Sequence, residues 1–176
     1  PIDQTPTPAQ ELKLVTTSNT SGKISFTDLL ATTPTAKSFT ISSTDADGVY
    51  YDTFKDQVVL ASRTNNRVEA YNGLRNAIIS SATTLDLSFS SSSDFTNARE
   101  IAVSGDKVVV TQDQNAGNGN ISKFYVYQRN TSGFTLLNTY TVDIKLWGIH
   151  LEGETMYAIA DNTSDLVVYN NFFSNT

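Results

Sequence analysis

From Glu11 onward the chain alternates between short apolar runs and short polar clusters. The runs are rich in Val, Ile, Tyr, Phe and Thr, and the clusters are rich in Gly, Asn, Asp and Ser, which is typical of strands separated by turns. A helix needs apolar residues at i, i+3, i+4 and i+7 over about a dozen positions. Only residues 71–81 approach that spacing, and Gly73 interrupts them. The pattern predicts an all-β chain, and we assign no helix.

A hairpin unit occurs three times in the sequence. Each copy contains a strand, a tight turn and a second strand. The turns are predicted at Lys55-Asp56, Gly105-Asp106 and Gly153-Glu154. Residues of these types tolerate the positive φ that short hairpins require. A third strand ending in tyrosine follows each hairpin, and the copies recur at a spacing of about 50 residues, as in the blades of β-propellers.

The strands group into two complete four-stranded units between two incomplete ones. Strands are numbered one to four from the inner strand of each unit outwards. The first unit has strands two to four, the second and third units have all four strands, and the last unit has strands one to three. The units are residues 11–43, 44–90, 95–143 and 145–172, after a Pro/Thr-rich spacer at residues 1–10. The fourth strands of the complete units are predicted at residues 83–89 and 134–142.

This arrangement resembles the β-propeller repeats of secreted bacterial proteins, of the lactonase-like and surface-antigen-like kind. The resemblance implies blades of four antiparallel strands, of which this chain holds about three and a half. A closed ring of six blades needs about 300 residues, whereas the chain has 176. We therefore expect an N-terminal half of a propeller, completed by a second copy or by a downstream half. Left open, such a half would expose apolar faces that drive association.

Composition narrows the partners and the location. The chain has 18 acidic and 12 basic side chains and a net charge of −6, which disfavours nucleic acid and anionic membranes because both attract clustered Lys and Arg. No window is apolar enough for membrane insertion. The absence of cysteine excludes disulfides and thiolate metal sites. The abundance of Ser, Thr and Asn, with a spacer like that of a lipoprotein tether, predicts an extracellular, cell-surface or periplasmic protein.

The candidate ligand-binding residues lie in the loops that enter the first strands, at the expected mouth of the central channel. They are Asp45, Asp47, Asn97, Arg99, Glu100, Asp143, Lys145 and Trp147. The lactonase-like resemblance implies a divalent ion held there by carboxylates and amides for hydrolysis. Asp45 and Asp47 form the best ligand pair, although Asp also suits a turn. Trp147 could stack on a sugar or fill the wedge between blades.

A second metal candidate begins at Asp113, in the Asn/Gly-rich residues 113–120. An EF-hand loop requires Gly at its sixth position and Glu at its twelfth, but these positions hold Asn118 and Phe124. The stretch is therefore either a looser calcium site or a plain loop. No catalytic residue is assigned, because His150, the sole histidine, is expected to pack between blades and no G-x-S-x-G motif is present.

These features lead to two functional hypotheses. The first is a non-enzymatic, secreted or surface-tethered β-propeller module that binds a protein or glycan through loops on one face. The alternative is a lactonase-like, metal-dependent hydrolase with its site at the channel mouth. A divalent ion near the ring axis would favour the hydrolase. A purely structural spacer is a third reading, and it would tolerate changes in the axial loops.

Overall fold

The computed structural model describes residues 13–17, 21–30, 32–113, 122–161 and 163–174. In these residues the chain forms four antiparallel sheets that follow one another in sequence. The first sheet contains β1 (Lys13–Thr17), β2 (Lys23–Asp28) and β3 (Ala36–Thr40). The second contains β4 (Ala46–Asp52), β5 (Gln57–Ser62), β6 (Arg67–Asn72) and β7 (Phe89–Ser90). The third contains β8 (Ala98–Ser104), β9 (Lys107–Asp113), β10 (Ser122–Arg129) and β11 (Phe134–Val142), and the fourth β12 (Leu146–Glu152), β13 (Thr155–Ala160) and β14 (Leu166–Tyr169).

The all-β prediction, with two four-stranded sheets between two three-stranded ones, is confirmed. β1 ends beside the start of β4, where Oγ1 of Thr17 donates to the carbonyl oxygen of Ala46 at 3.0 Å. The second strand β5 ends at the same place, since the N–H of Arg63 donates to the carbonyl oxygen of Asp45 at 2.8 Å. β1 therefore runs like a second strand. Among the described residues, the first sheet lacks an innermost strand and the fourth sheet lacks an outermost one.

The core consists of three apolar layers, one between each pair of neighbouring sheets. β5 shows why the chain folds this way, because all six of its residues are buried. Val59 faces the third sheet and packs in the same cluster as Val108, whereas Val58 packs towards the first sheet with Phe39. A strand that is covered on both faces has no polar alternation, which accounts for the continuous apolar runs in the sequence.

The sheets share one register, so that equivalent residues can be identified. Each second strand pairs with a third strand in the same way, and two positions of the third strand point towards the following sheet. The equivalent residues at the first position are Ile24, Val68, Phe124 and Leu166, and at the second position Phe26, Ala70, Val126 and Val168.

The inner strands approach one another closely at Gly48. A Cβ atom built on Gly48 would lie 2.4 Å from the backbone nitrogen of Ile101 in β8, closer than any side chain allows. The equivalent Gly148 in β12 has no atom within 4 Å of such a Cβ. Glycine is therefore required on steric grounds at position 48. At the opposite ends of these strands, Gly105 and Gly153 adopt positive φ of 55° and 59° in the predicted turns.

The assignment of no helix from the sequence was wrong, because residues Leu74–Ile79 form a short helix, α1, after β6. Gly73 lies at its N-cap with φ of 75°, where glycine is tolerated, rather than in the helix interior as the sequence pattern suggested. Leu74 and Ala77 bury their side chains against the first sheet. At the other end, Nζ of Lys37 donates to the carbonyl oxygens of Ala77 and Ile78 at 2.7 and 2.9 Å.

The predicted strand at residues 83–89 is divided between two sheets. Only Phe89 and Ser90 pair with β6. Upstream, Thr84 forms a parallel bridge to Thr40 of β3, and the N–H of Leu85 donates to the carbonyl oxygen of Thr40 at 2.9 Å. The segment is extended as expected, but its hydrogen bonds are shared, so a single long strand does not form.

Candidate functional site

The strands β4, β8 and β12 lie side by side and begin at one rim of the molecule. The loops before them and their first residues carry the predicted binding residues. The structure divides these residues into two clusters of different chemistry. One is rich in carboxylates, and the other is built around Trp147.

The carboxylate cluster consists of Asp45, Asp47, Glu100 and Arg63. Nη1 of Arg63 donates to Oδ2 of Asp47 at 3.2 Å, and its Nε lies 3.7 Å from Oδ2 of Asp45. Arg63 is a permanently charged group that fits carboxylates well. A metal ion bound by the two aspartates would therefore have to displace the guanidinium of Arg63.

Glu100 is half-buried, as are the other three members of this cluster. Burial raises the pKa of Glu100 above its usual value, and the nearby charge of Asp47 raises it further. Asp47, in contrast, is held in an ion pair by Arg63. Two carboxylates in such different environments are the arrangement that acid–base chemistry uses, so this pair is the feature of the rim most suited to a reaction.

The tryptophan cluster consists of Trp147, Arg99, Lys145 and Asp161. The guanidinium of Arg99 lies 5.4 Å from the indole centroid, and Nζ of Lys145 lies 5.7 Å from it. Lys145 also forms an ion pair with Asp161, with Nζ and Oδ2 2.6 Å apart. The indole is 53% exposed, so an aromatic surface flanked by two cations is open to solvent. Trp147 therefore does not fill a wedge between sheets.

Sequence analysis missed Arg63 and Asp161, which belong to the same structural position. Each follows the second strand of its sheet and lies opposite the residue before the first strand: Arg63 donates its N–H to Asp45, and Asp161 donates to Lys145 at 2.8 Å. The hairpin register was the signal that could have found both. That register places the residue after each second strand opposite the loop before the first strand, a relation that the loop residues alone do not reveal.

The remaining predicted residues, Asn97, Asp143 and Asp113, do not form one site with either cluster. Asn97 is half-buried with φ of 51°, and Asp143 is exposed before β12. Asp113 ends β9, and the rest of the predicted calcium stretch, residues 114–120, lies outside the described residues. Within the described part of the chain, no three His, Cys, Asp or Glu side chains converge to hold a metal ion. No helix there has the length and apolar character of a membrane span.

The outer face of the fourth sheet, which we call the open face, is not covered by another described sheet, whereas the corresponding faces of the first three sheets are. It carries His150, Tyr157, Ile159, Leu166 and Val168. Ile159 and Leu166 are 53% and 64% exposed, and the rings of His150 and Tyr157 lie 6.3 Å apart. His150 thus occupies the position that Ala102 holds in β8, where Ala102 is buried, but no described sheet covers His150.

At the opposite rim, the buried Arg129 joins the second and third sheets. Its Nη2 donates to Oδ2 of Asp52 at 2.6 Å and to the carbonyl oxygen of Gly105 at 2.6 Å, and its Nη1 donates to Gln57 at 3.0 Å. Burial alone would raise the pKa of Asp52, but hydrogen bonds from the Lys55 backbone and from Arg129 lower it below its usual value. These contacts make Arg129 a structural link.

Radially arranged four-stranded sheets whose inner strands lie side by side define part of a β-propeller. Solved structures support this class. The chain is similar to the β-propeller domain of Cps50 (Swd1) from Myceliophteria thermophila, with a TM-score of 0.58 and 12% identity, covering 86% of this chain and 48% of that domain. It thus spans about half the length of that propeller.

Two further structures agree on the fold. Glutaminyl cyclase from Myxococcus xanthus gives a TM-score of 0.51 at 12% identity over 84% of this chain and 57% of that one. The computationally designed Ika4 protein gives 0.55 at 12% identity, over 92% of this chain and 94% of that one. No protein-family model matches the sequence, and no curated protein matches it. Identities this low show the fold alone.

Proposed function

We propose that the chain is a non-enzymatic β-propeller module that forms part of a larger ring and binds another protein through the open face. The observation that carries this proposal is the chemistry of one set of equivalent positions. Val126 and Phe124 are fully buried against the fourth sheet, whereas Val168 and Leu166 at the same positions are exposed. An apolar face built like the interior of the propeller is suited to packing against another sheet.

A second copy could cover the open face by head-to-tail pairing, with the first sheet of one copy against the fourth sheet of the other. The chemistry of the first sheet makes this pairing less favourable than packing against a further blade. The outward face of the first sheet carries Thr16, Ser25 and Ser38, and the hydroxyls of Ser25 and Ser38 are hydrogen-bonded to each other at 2.8 Å. A face of hydroxyl groups gains little from apolar contact. A downstream blade with an apolar face is therefore the occupant we favour over a second copy.

Light scattering of the purified chain across a wide concentration range tests the proposal. The open face should cause self-association above the mass of 19.2 kDa for one chain. The double substitution Ile159→Asp and Leu166→Asp should abolish it. Phe54→Asp is the matched control, because Phe54 is 94% exposed at a turn but lies outside the open face, and this variant should associate like the unchanged chain.

The species formed distinguish the occupants. A discrete dimer that the double substitution dissociates would identify a second copy, whereas larger species that grow with concentration support an apolar face made for another blade. A monomer at every concentration would refute the proposal. Equal association of the Phe54→Asp and double variants would refute it as well, because the open face would then have no special role.

The proposal also includes a ligand at the rim that carries Trp147 and a location outside the cytoplasm. The exposed indole of Trp147 between Arg99 and Lys145 suits a glycan or protein group that offers a flat face with negative charge. The Ser-, Thr- and Asn-rich composition and the Pro/Thr-rich spacer support a secreted or surface-tethered bacterial protein. Fractionation of cells that express the protein checks the location, and a glycan array with Trp147→Ala as control checks the ligand.

The hydrolase alternative is favoured by one observation, the raised pKa of Glu100 beside Asp47. A lactonase-like site would bind calcium at this cluster. Calorimetric titration with calcium separates the two functions: the hydrolase predicts saturable heat that is lost in Asp47→Asn, and the binding module predicts none. The ion pair of Arg63 with both aspartates supports the second outcome.

A further inference from the structure

A polar cavity of about 630 Å³ lies between the second and third sheets, at the rim opposite the predicted binding loops. The second sheet contributes the β4–β5 turn, the start of β5 and the end of β6. The third sheet contributes the β8–β9 turn, the end of β10 and the turn after it. The lining residues are all polar or charged. The cavity therefore suits a ligand that forms hydrogen bonds rather than an apolar one.

Two of the side chains that line this cavity are almost fully buried. Gln57 is 6% exposed and Arg129 is 3% exposed. Oε1 of Gln57 accepts from Nη1 of Arg129 at 3.0 Å, and Nε2 of Gln57 donates to Oδ1 of Asn72 at 2.8 Å. These bonds fix the three side chains relative to one another. Groups that are already fixed lose little freedom when a ligand binds.

Nε of Arg129 is a buried donor that the protein leaves unsatisfied. Both Nη atoms of Arg129 form hydrogen bonds, but Nε has no hydrogen-bond partner in the described part of the chain. Oδ1 of Asp106, in the cavity wall, lies 4.0 Å from Nε, which is too far for a hydrogen bond. A buried donor without an acceptor costs free energy, and such groups are rare in folded proteins. A molecule in the cavity can supply the missing acceptor oxygen.

The charges around the cavity are paired within the protein. Lys55 forms an ion pair with Asp106, and Arg129 forms one with Asp52. The hydrogen bond from Lys55 holds the pKa of Asp106 below its ordinary value, so this pair is ionised at neutral pH. Two cations and two anions thus compensate one another. This balance favours a neutral ligand over an ion.

The amides of Asn72 and Gln128 also line the cavity, and an amide side chain offers both donors and an acceptor. Hydroxyl groups donate and accept as well, so a molecule with several hydroxyls matches this wall and presents an oxygen to Nε of Arg129. We propose that the cavity is a binding site for a neutral sugar of one or two rings. The sugar contacts the second and third sheets at once. The site is separate from the open face and from the rim that carries Trp147.

Proton–nitrogen correlation NMR of the isotope-labelled chain tests this proposal, because the Nε–H of arginine and the amides of Asn and Gln give signals of their own. Glucose, galactose, mannose, maltose and cellobiose are the neutral probes. At least one of them should shift the signals of Arg129 Nε–H and of the Gln57 amide saturably. Glucuronate and glucosamine are the matched charged probes. They should bind at least about tenfold more weakly than the neutral sugar, because a further charge is desolvated beside groups that are already paired.

Thr131→Phe provides the complementary test on the protein. Thr131 is an exposed residue of the turn after β10 and lines the cavity, so the larger ring should occupy ligand space and weaken sugar binding at least about tenfold. Thr139→Phe is the matched control, because Thr139 is an exposed residue of β11 outside the cavity. Thermal melting verifies that both variants fold.

The proposal is overturned if no neutral sugar shifts the Arg129 Nε–H signal, since the cavity would then hold water only. It is overturned as well if glucuronate and glucosamine bind as tightly as the neutral sugars, or if folded Thr131→Phe binds like the unchanged chain. None of these results bears on the proposed ring module, because its test is the self-association that Ile159 and Leu166 control.

Discussion

The two end sheets present outward faces of opposite chemistry. The first sheet exposes hydroxyl side chains, among them Thr16 and Ser38, whereas the fourth sheet exposes Ile159, Leu166 and Val168. A face of Ser and Thr is stable in water, but a face of branched aliphatic residues is stable only when covered. The two ends of the molecule therefore differ: the outward face of the fourth sheet exposes more apolar surface than that of the first sheet.

A closer comparison within the molecule is that between the third and fourth sheets. Val126 and Val168 have the same residue type and the same register position, yet the first is fully buried and the second is 44% exposed. Val126 has both a following sheet and the neighbouring outer strand β11, whereas Val168 has neither among the described residues. The repeat thus places at position 168 the residue type that is buried at position 126, although the described residues do not bury Val168.

Aspartate substitutions at these two valines give the largest expected effect. Val126→Asp places a charge in a dry layer and should cost at least about 4 kcal/mol of unfolding free energy, so the protein should not fold. Val168→Asp should change stability by no more than about 0.5 kcal/mol and should improve solubility. Urea unfolding followed by circular dichroism measures both. Similar losses in the two variants would show that the open face is covered in the isolated chain.

At the opposite rim, the junction between the second and third sheets differs from the junction between the third and fourth sheets. The backbone N–H groups of Arg129 and Phe172 occupy equivalent positions, because they donate to Asp106 and Glu154 in the turns of their sheets. Arg129→Met should cost about 3 kcal/mol, since it leaves the carboxylate of Asp52 without its cation. Lys55→Met is the control, because Lys55 forms only an exposed ion pair with Asp106, worth less than about 1 kcal/mol.

Urea unfolding of Arg129→Met and Lys55→Met at neutral pH makes this comparison. Equal effects of the two substitutions would contradict the structural role of Arg129. Repeating the measurement at acid pH adds a second check. The pKa of Asp52 is lowered in the folded state, so its contribution is present above its ordinary pKa and is lost as the pH falls through the lowered value. The difference between the variants should therefore shrink in acid.

Gly48 and Gly148 extend the comparison to the inner strands. Gly48→Ala places a Cβ 2.4 Å from the nitrogen of Ile101, and the resulting shift of β4 from β8 should cost about 1–3 kcal/mol. Gly148→Ala meets no atom within 4 Å and should be neutral or slightly stabilising, because alanine restricts the unfolded chain. Thermal melting of both variants is sufficient. Destabilisation by Gly148→Ala would indicate that another inner strand already covers β12.

Much of this architecture could be predicted because strand, turn and repeat are local properties of the sequence. Gly105 and Gly153 marked their turns, and the tyrosine-ended third strands gave the register. The helix after β6 was missed because its stability comes from burying Leu74 against another sheet, which no local pattern reveals. The partners Arg63 and Asp161 were missed for a similar reason, since pairing across a hairpin brings them to the rim.

The smallest expected effect concerns the carboxylate cluster. The folded state raises the pKa of Glu100 from its ordinary value of 4.5 through burial and the charge of Asp47. A raised carboxyl pKa gives stability that is fully present below the unfolded value and is lost as the pH rises through the folded one. Glu100→Gln should therefore stabilise the protein at pH 7, by less than about 1 kcal/mol because the group is partly exposed.

The same substitution should have little effect near pH 3, where Glu100 is protonated in both states. Thermal melting of Glu100→Gln and the unchanged chain at the two pH values makes the comparison, and Glu152→Gln, at an exposed residue of β12, is the control. Stabilisation at neutral pH alone supports a carboxylate that burial and Asp47 disfavour. Destabilisation at neutral pH would mean that the charge of Glu100 is compensated in the folded protein, and the argument for acid–base chemistry at this rim would lose its basis.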